Sequence, residues 1–535
     1  MGAMGAWVRM KAWIGAVLLV AANHGVLAQS ATSTAAHDAH HQQPPSPSTL
    51  GKHGPAPREK RKQGVSPGYA RQWRAALAMG DQGDAADADR ALARVMAHRE
   101  FTTLVAGDQR ATWSRAAWMA TRLGDNTRAR RWVTRAVEAG SDDPDDVYLL
   151  AQLDDRDGAH EAAARHLRDF AVRWPRMLRY LDTDFVLGVA RQAPQDAPIR
   201  LHLLEALLQS GWDANGLGIG DLGYQLALLY QARNDIAGVR RAIALTTSPD
   251  VLVKFRVDRR FDGVVDRDTE ALDIEAAARR RVASLRTLAD RRPRSLEIRM
   301  ELGYALLATG QHAETVTLAN QTLAALSAAP ADAPAFEDPH YAVWVLNNRA
   351  IAQRRLGKLY DAQADLFRGT LMAESGGANV SQVLNLGQFL CQRGRPDEAL
   401  AAVGRVGNMS GYGRMVQASV EHCAAIQQQD GTAARRALDY LRDHRDDAQE
   451  IWIRALVEAD RMDDAAQALI AALAAPATRG DMLAAVQDWR EPAALPAFVS
   501  VQDRWRALLS REDVRRAVAA VGRIERQPIF THGGI

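Results

Sequence analysis

At 535 residues, with 47% hydrophobic, 24% charged and only 6% aromatic residues, the chain is long enough for several domains or for one extended array of repeats. Its formal charge of +3 gives it no global reason to seek nucleic acid. Ala, Leu, Arg and Asp dominate and strand-like alternation is scarce, so an almost wholly α-helical protein is expected.

The chain opens with Arg9 and Lys11, an apolar run from Ala12 to Ala22, and then Val26, Leu27 and Ala28, which is the order of a secretory signal cleaved near Ala28. The run falls short of the roughly 20 residues a membrane span needs. Residues 1–28 are therefore expected to be a signal peptide, the alternative being an uncleaved N-terminal membrane anchor. Removing them takes away two positive charges and no acid, which leaves +3 − 2 = +1. No later stretch is apolar enough to cross a bilayer, so the mature chain is expected to have no integral membrane domain and to be periplasmic or secreted. Residues 29–68 are rich in Ser, Pro and Gln, then basic at Lys52, Arg58, Lys60, Arg61 and Lys62, and read as a disordered tether. Its His37, His40, His41 and His53 suit a solvated linker first and a metal-collecting tail second.

From Tyr69 the apolar positions recur at helical spacing. In residues 113–137, Ala116, Ala117 and Ala120 line a first helix, Gly124 and Asp125 turn the chain, and Ala129, Val133 and Ala136 line a second. Gly158, 34 residues after Gly124, repeats the turn, with Leu150, Ala151, Ala163, Leu167 and Phe170 around it. Leu302, Gly303, Leu306, Gly310, Val316 and Leu323 form another copy, and Ala350, Gly357, Ala362 and Leu366 the next. The clearest copy is residues 383–406, where Leu386, Gly387 and Leu390 precede a turn at Gly394 and Ala399 and Val403 follow it. Gly387 and Ala399 lack bulk where the two helix axes must cross. Weaker copies surround Gly431, and Asp460 standing in for the turn glycine. The turns at Gly310, Gly357, Gly394 and Gly431 are 47, 37 and 37 residues apart, and a proline-rich loop at 327–339 accounts for the longest interval.

Hairpins with a period near 34, a turn glycine and small residues at the crossing resemble the tetratricopeptide repeat, or TPR. The resemblance implies an all-α fold: an α-solenoid of TPR-like helical hairpins forming a right-handed superhelix, each hairpin burying its faces against its neighbours. Asp258, Arg259, Arg260 and Phe261, and again Asp503, Arg504 and Trp505, resemble the segment that closes a run of such repeats. They suggest an N-terminal array at 69–265 and a C-terminal array at 266–526 with a closing helix at 511–521, followed by a tail at 527–535.

Three patterns invite a chemical reading. Gly218, Gly220 and Gly223 spell G-x-G-x-x-G, but a helical lead-in and Arg240 and Arg241 in place of a downstream acid make a glycine-rich loop the better reading. Glu374 and Ser375 match the acid–serine pair of soluble lytic transglycosylases, without the compact catalytic domain that should surround it. Cys391 and Cys423, 32 residues apart in successive first helices, suit either a disulfide or two buried thiols, and no metal spacing accompanies them. Tryptophans such as Trp113 and Trp132 are expected to fill their hairpin, and the sequons at Asn320, Asn379 and Asn408 matter only in a eukaryotic secretory route.

The expected function is that of an exported, non-enzymatic scaffold in the bacterial cell envelope. It would bind a protein or peptide partner on its concave face, with no cofactor and no nucleic acid. Asn347, Asn348, Asn385 and Gln388 are the expected contacts on that face, though the same residues suit hydrogen bonds between repeats. The alternatives are a structural subunit of an envelope polysaccharide or protein export or assembly machine and, behind it, a peptidoglycan-active enzyme.

Overall fold

A computed structural model describes residues 65–531 except 83, 195–197, 331, 373–378, 407–408 and 410. The expected signal peptide, the tether histidines and the Glu374–Ser375 pair lie outside the described residues. The chain divides into two compact units that meet in sequence at Asn215 and Gly216.

The N-terminal unit is a series of antiparallel helical hairpins: α1 (Pro67–Gln82), α2 (Ala85–Ala97), α3 (Ala106–Arg122), α4 (Asn126–Glu138), α5 (Pro144–Arg156), α6 (His160–Arg173), α7 (Thr183–Gln192) and α8 (Pro198–Gln209). Asp84, Asp125 and Asp143 start α2, α4 and α5 by accepting from first-turn backbone N–H groups. Gly124 and Gly158 end α3 and α5 at φ of 75° and 76°, the left-handed conformation in which a Cβ is costly. Ala117 and Ala120 of α3 meet Ala129 and Val133 of α4, and the small side chains bring the two axes close. Trp113 packs edge-on against Phe101. Trp132 lies partly buried against the same core, so both rings fill the hairpin stack.

The C-terminal unit contains α9 (Leu222–Gln231), α10 (Ile236–Leu245), α11 (Pro249–Val257) and α12 (Ile274–Arg291). Five hairpins follow. Their first helices are α13 (Leu296–Ala308), α15 (Ala342–Arg355), α17 (Val380–Gln392), α19 (Gly411–Gln427) and α21 (Gln449–Glu458). Their second helices are α14 (His312–Ala328), α16 (Leu359–Thr370), α18 (Pro396–Val403), α20 (Gly431–Asp443) and α22 (Met462–Ala474). Gly310, Gly357 and Gly394 turn the first three hairpins at φ of 80°, 78° and 75°. The fourth departs from expectation: Gly431 is the first residue of α20, and Gln429 takes the left-handed turn at φ 59°. Asp460 takes it in the fifth, at φ 57°. Asp338 accepts from the backbone N–H groups of Leu296 at 2.6 Å and Glu297 at 2.9 Å and so caps α13.

After α22 come α23 (Pro476–Ala485), β1 (Asp488–Arg490), α24 (Val499–Ser510), α25 (Glu512–Val521) and β2 (Arg526–Phe530). The closing helix expected at 511–521 is α25. The strands pair in parallel, Asp488 with Arg526 and Arg490 with Phe530, and β2 packs on α12 and α13. The segment around α11 packs on α23, and Asp258 forms an isolated antiparallel bridge with Gly522. The first and last parts of this unit are thus in contact. Residues 249–262 pack against the C-terminal segment and lie with it in the C-terminal unit.

Candidate binding surface

Every residue of α13, α15, α17, α19 and α21 is buried or half-buried. Helix α13 has no fully exposed side chain, Glu297, Arg299 and Glu301 included, the pattern of a helix covered on every side. The first helices expected to carry a partner thus expose no side chain fully.

The expected contacts follow from that. Asn347 donates to the Tyr304 hydroxyl at 3.2 Å, Asn385 donates to the Asn347 side-chain carbonyl at 3.1 Å, and Asn348 donates to the Met300 carbonyl at 2.8 Å. All three asparagines are buried and link three successive first helices; Gln388 is half-buried. These bonds have a steric condition: Asn348 lies over Gly303, where a Cβ would come within 2.7 Å of its amide nitrogen. The glycine that looked like a crossing residue is also what lets an asparagine bond across the stack.

Cys391 of α17 and Cys423 of α19 form a disulfide across a Cα–Cα distance of 6.4 Å. Gln427 donates to the Cys391 carbonyl at 2.9 Å beside it. The Gly218–Gly223 motif is a loop entering α9, with Gly218 and Gly220 at φ of 79° and 52°. Asp221 of that loop holds Lys254 of α11 at 2.7 Å.

Two further features lie outside the expectations drawn from the sequence. One is the seam between the first and last parts of the C-terminal unit. Lys254 bridges Asp221 and Asp481, each at 2.7 Å, and the two carboxylates outweigh burial in raising its pKa. Tyr224 donates to Asp258 at 2.7 Å and Arg260 pairs with Asp258 at 2.6 Å. Phe530 of β2 is flanked by the guanidinium groups of Arg355, at 4.9 Å from its ring centroid, and Arg490, at 4.4 Å. Burial, with those two arginines, pushes the nearby His312 imidazole down to about 4. A cleft beside the seam is lined by Arg256, Arg267, Glu525 and Arg526, and Glu525 pairs with Arg256 at 2.6 Å. These contacts hold the unit closed.

The other feature is on the outer face of α16. Tyr360 is 80% exposed, Phe367 51% and Leu371 72%, with Ala364 exposed between them. Positions 360, 364, 367 and 371 fall on one helical face, so the side chains form a continuous apolar stripe. Arg349 joins α16 to α14 by reaching Asp365 at 2.6 Å and Asn320 at 2.6 Å. Helix α14 exposes Ala313, Ala324, Ala325 and Ala328 together with the uncharged polar Thr317, Asn320, Gln321 and Ser327, and Glu314 is its one exposed charge. Helix α20, by contrast, exposes Arg435, Arg436, Asp439, Arg442 and Asp443. The apolar stripe needed only the period of residues 360–371 to be found, but the sequence does not say which helix of a hairpin faces outward.

Among the described residues no cluster of His, Cys, Asp and Glu could hold a metal ion, and no helix is long and apolar enough to cross a membrane. The geometry defines a class: an α-solenoid of TPR-like hairpins. No protein-family model matches the chain, and no curated protein matches its sequence. Among solved structures, the APC/C hetero-tetramer Cut9–Hcn1 is similar at 13% identity, covering 84% of this chain and 85% of that one with a TM-score of 0.28. A monomeric mutant of IFIT1 with m7Gppp-AAAA is similar at 15% identity, with coverages of 76% and 83% and a TM-score of 0.26. The TPR domain of P58(IPK) is similar at 12% identity, with coverages of 74% and 99% and a TM-score of 0.18. At these values the likeness carries no argument about function.

Proposed function

We propose that this chain is an exported, non-enzymatic protein-docking scaffold of the bacterial cell envelope, and that it engages its partner through the outer face of α16 and α14 rather than through the first helices. The observation that carries this reading is the exposed stripe of Tyr360, Phe367 and Leu371 in a unit whose first helices are covered. Contiguous apolar surface of this kind, set among charged neighbours, is characteristic of protein interfaces. Export is supported by the pattern of Arg9, Lys11 and the apolar run ending at Ala22, and by a disulfide of the kind that persists in oxidising compartments.

A photo-crosslinking residue placed at Phe367 in the full chain, expressed in a bacterial envelope, should give discrete protein adducts. The same residue at Arg436 on α20 should give none. Equal adduct patterns at the two positions, or none at either, would reject α16 as a docking face. Adducts that co-purify with membranes in fixed stoichiometry would identify the scaffold as a subunit of an envelope export or assembly machine. Recovery from the soluble periplasmic fraction would identify a transient adaptor.

A further inference from the structure

The outer face of α16 carries its own complement. Along the helix the apolar residues are Tyr360, Ala364, Phe367 and Leu371, and one edge of that stripe carries exposed Asp361 and exposed Arg368. Seven residues separate the two charges, two helical turns, so they stand on the same edge and about 10 Å apart. Neither is fully engaged. No ion pair joins Asp361 to any described residue. Arg368 reaches Asp365 at 3.4 Å while its side chain stays 64% exposed, because Asp365 already receives Arg349 at 2.7 and 2.6 Å. The opposite edge of the helix carries Gln363 and Thr370, and Arg393 at 2.6 Å and Arg395 at 3.0 Å both donate to Gln363, with Arg393 also 5.1 Å from the Tyr360 ring centroid.

We propose that a second copy of this chain docks here, with the two α16 helices antiparallel about a two-fold axis near residue 365; the inference rests on the docking role just proposed for this face. A two-fold axis perpendicular to the plane of the paired helices keeps like edges together and reverses their direction. Asp361 of each copy then faces Arg368 of the other, on both sides of the axis. The same operation sets Tyr360 against Leu371 and Ala364 against Phe367, a large residue against a small one at the crossing, as close helix packing requires. A parallel arrangement about an axis along the helices would set the Asp361–Arg368 edge of each copy against the Gln363–Thr370 edge of the other and leave both charges without their complement. One three-turn helix supplies less than the roughly 800 Å² per partner of a standard interface. The outer face of α14, joined to α16 through Arg349 and carrying Glu314 as its one exposed charge, supplies adjoining surface.

The test is sedimentation equilibrium of the full chain up to about 100 μM, a range that captures micromolar association. The expected results are a dimer for the unaltered chain and a monomer for Phe367→Glu. Asp361→Arg should weaken association at least ~tenfold by opposing two cations twice over, and Asp361→Arg with Arg368→Glu should restore it. All three substitutions are at exposed positions, and an unchanged far-ultraviolet spectrum will show that the variants fold. A chain that stays monomeric throughout the range overturns the inference, as does a dimer indifferent to Phe367→Glu or a double variant no tighter than the single one. The crosslinking at Phe367 separates the outcomes. Adducts to a different protein with a monomeric chain leave the docking role standing and remove self-association, whereas no adducts and no dimer remove both.

Discussion

The ammonium of Lys254 lies 2.7 Å from the carboxylate of Asp481, a residue 227 positions further along the chain, and 2.7 Å from Asp221 on its other side. Lys254 is buried, so its charge depends on these two partners. Replacing both carboxylates, as Asp221→Asn with Asp481→Asn, strands a buried cation and should lower the unfolding free energy by roughly 3–5 kcal/mol. Adding Lys254→Met to that variant removes the stranded charge and should recover most of the loss. Urea unfolding of the three variants checks this. A triple variant no more stable than the double one would show that the seam does not depend on the charge of Lys254.

The crossing in the third of the five hairpins gives a steric prediction. A Cβ on Gly387 would stand 2.5 Å from Cγ1 of Val403, and Ala399 on the facing helix is fully buried. Gly387→Ala should cost about 1–3 kcal/mol through overpacking. Ala399→Asp, which adds an unpaired carboxylate, should cost more, several kcal/mol by the scale of buried charge. Thermal melts read both. Equal melting temperatures for the alanine variant and the unaltered chain would mean that the helices separate without penalty.

These residues also mark what the sequence discloses. Gly124, Gly158, Gly310, Gly357 and Gly394 reveal turns because a left-handed residue favours a chemistry visible one position at a time. Gln429 escapes that logic, since glutamine adopts φ of 59° here with no compositional sign of it, and Gly431 nearby drew the turn two residues too late. Asn347, Asn348 and Asn385 show a different limit. A polar residue on a first helix has the same spacing whether it faces a ligand or bonds to the next repeat, and only burial separates the two. The seam was least legible, because hydrophobic period describes neighbours in the chain, whereas Lys254 and Asp481 meet only once the unit closes.

The disulfide between Cys391 and Cys423 ties α17 to α19 and closes a segment of 32 residues. In the chain-entropy account a loop of that length is worth about 3–4 kcal/mol. Thiol titration of the unfolded chain should find no free thiol without reductant and two after reduction. Reduction should lower the melting temperature while leaving helicity in place, since Gln427 still donates to the Cys391 carbonyl across the same junction. Two free thiols before reduction would exclude the link.

The N-terminal unit should lose stability as pH rises through the weakly acidic range. Burial lifts Asp145 to about 7, with repulsion from Asp143 and Asp146 adding to it. Burial also lifts Asp146 to about 6, against hydrogen bonds donated by Ser114 and Ser141 at 2.5 and 2.6 Å. Because both folded pKa values lie above the unfolded value of 3.8, the folded unit binds more protons between about pH 4 and 7, and its stability must fall with rising pH over that window. For buried Asp146 a displacement of about two units corresponds to ~3 kcal/mol at most. Asp146→Asn keeps an acceptor for one serine and a donor for the other while removing the charge, so it should flatten the slope between pH 4 and 7. Urea unfolding followed by tryptophan fluorescence in buffers across that range measures it, since Trp113, Trp118 and Trp132 pack into the core of this unit. Parallel slopes for the variant and the unaltered chain would show that Asp146 is already ionised throughout, held by its two serines.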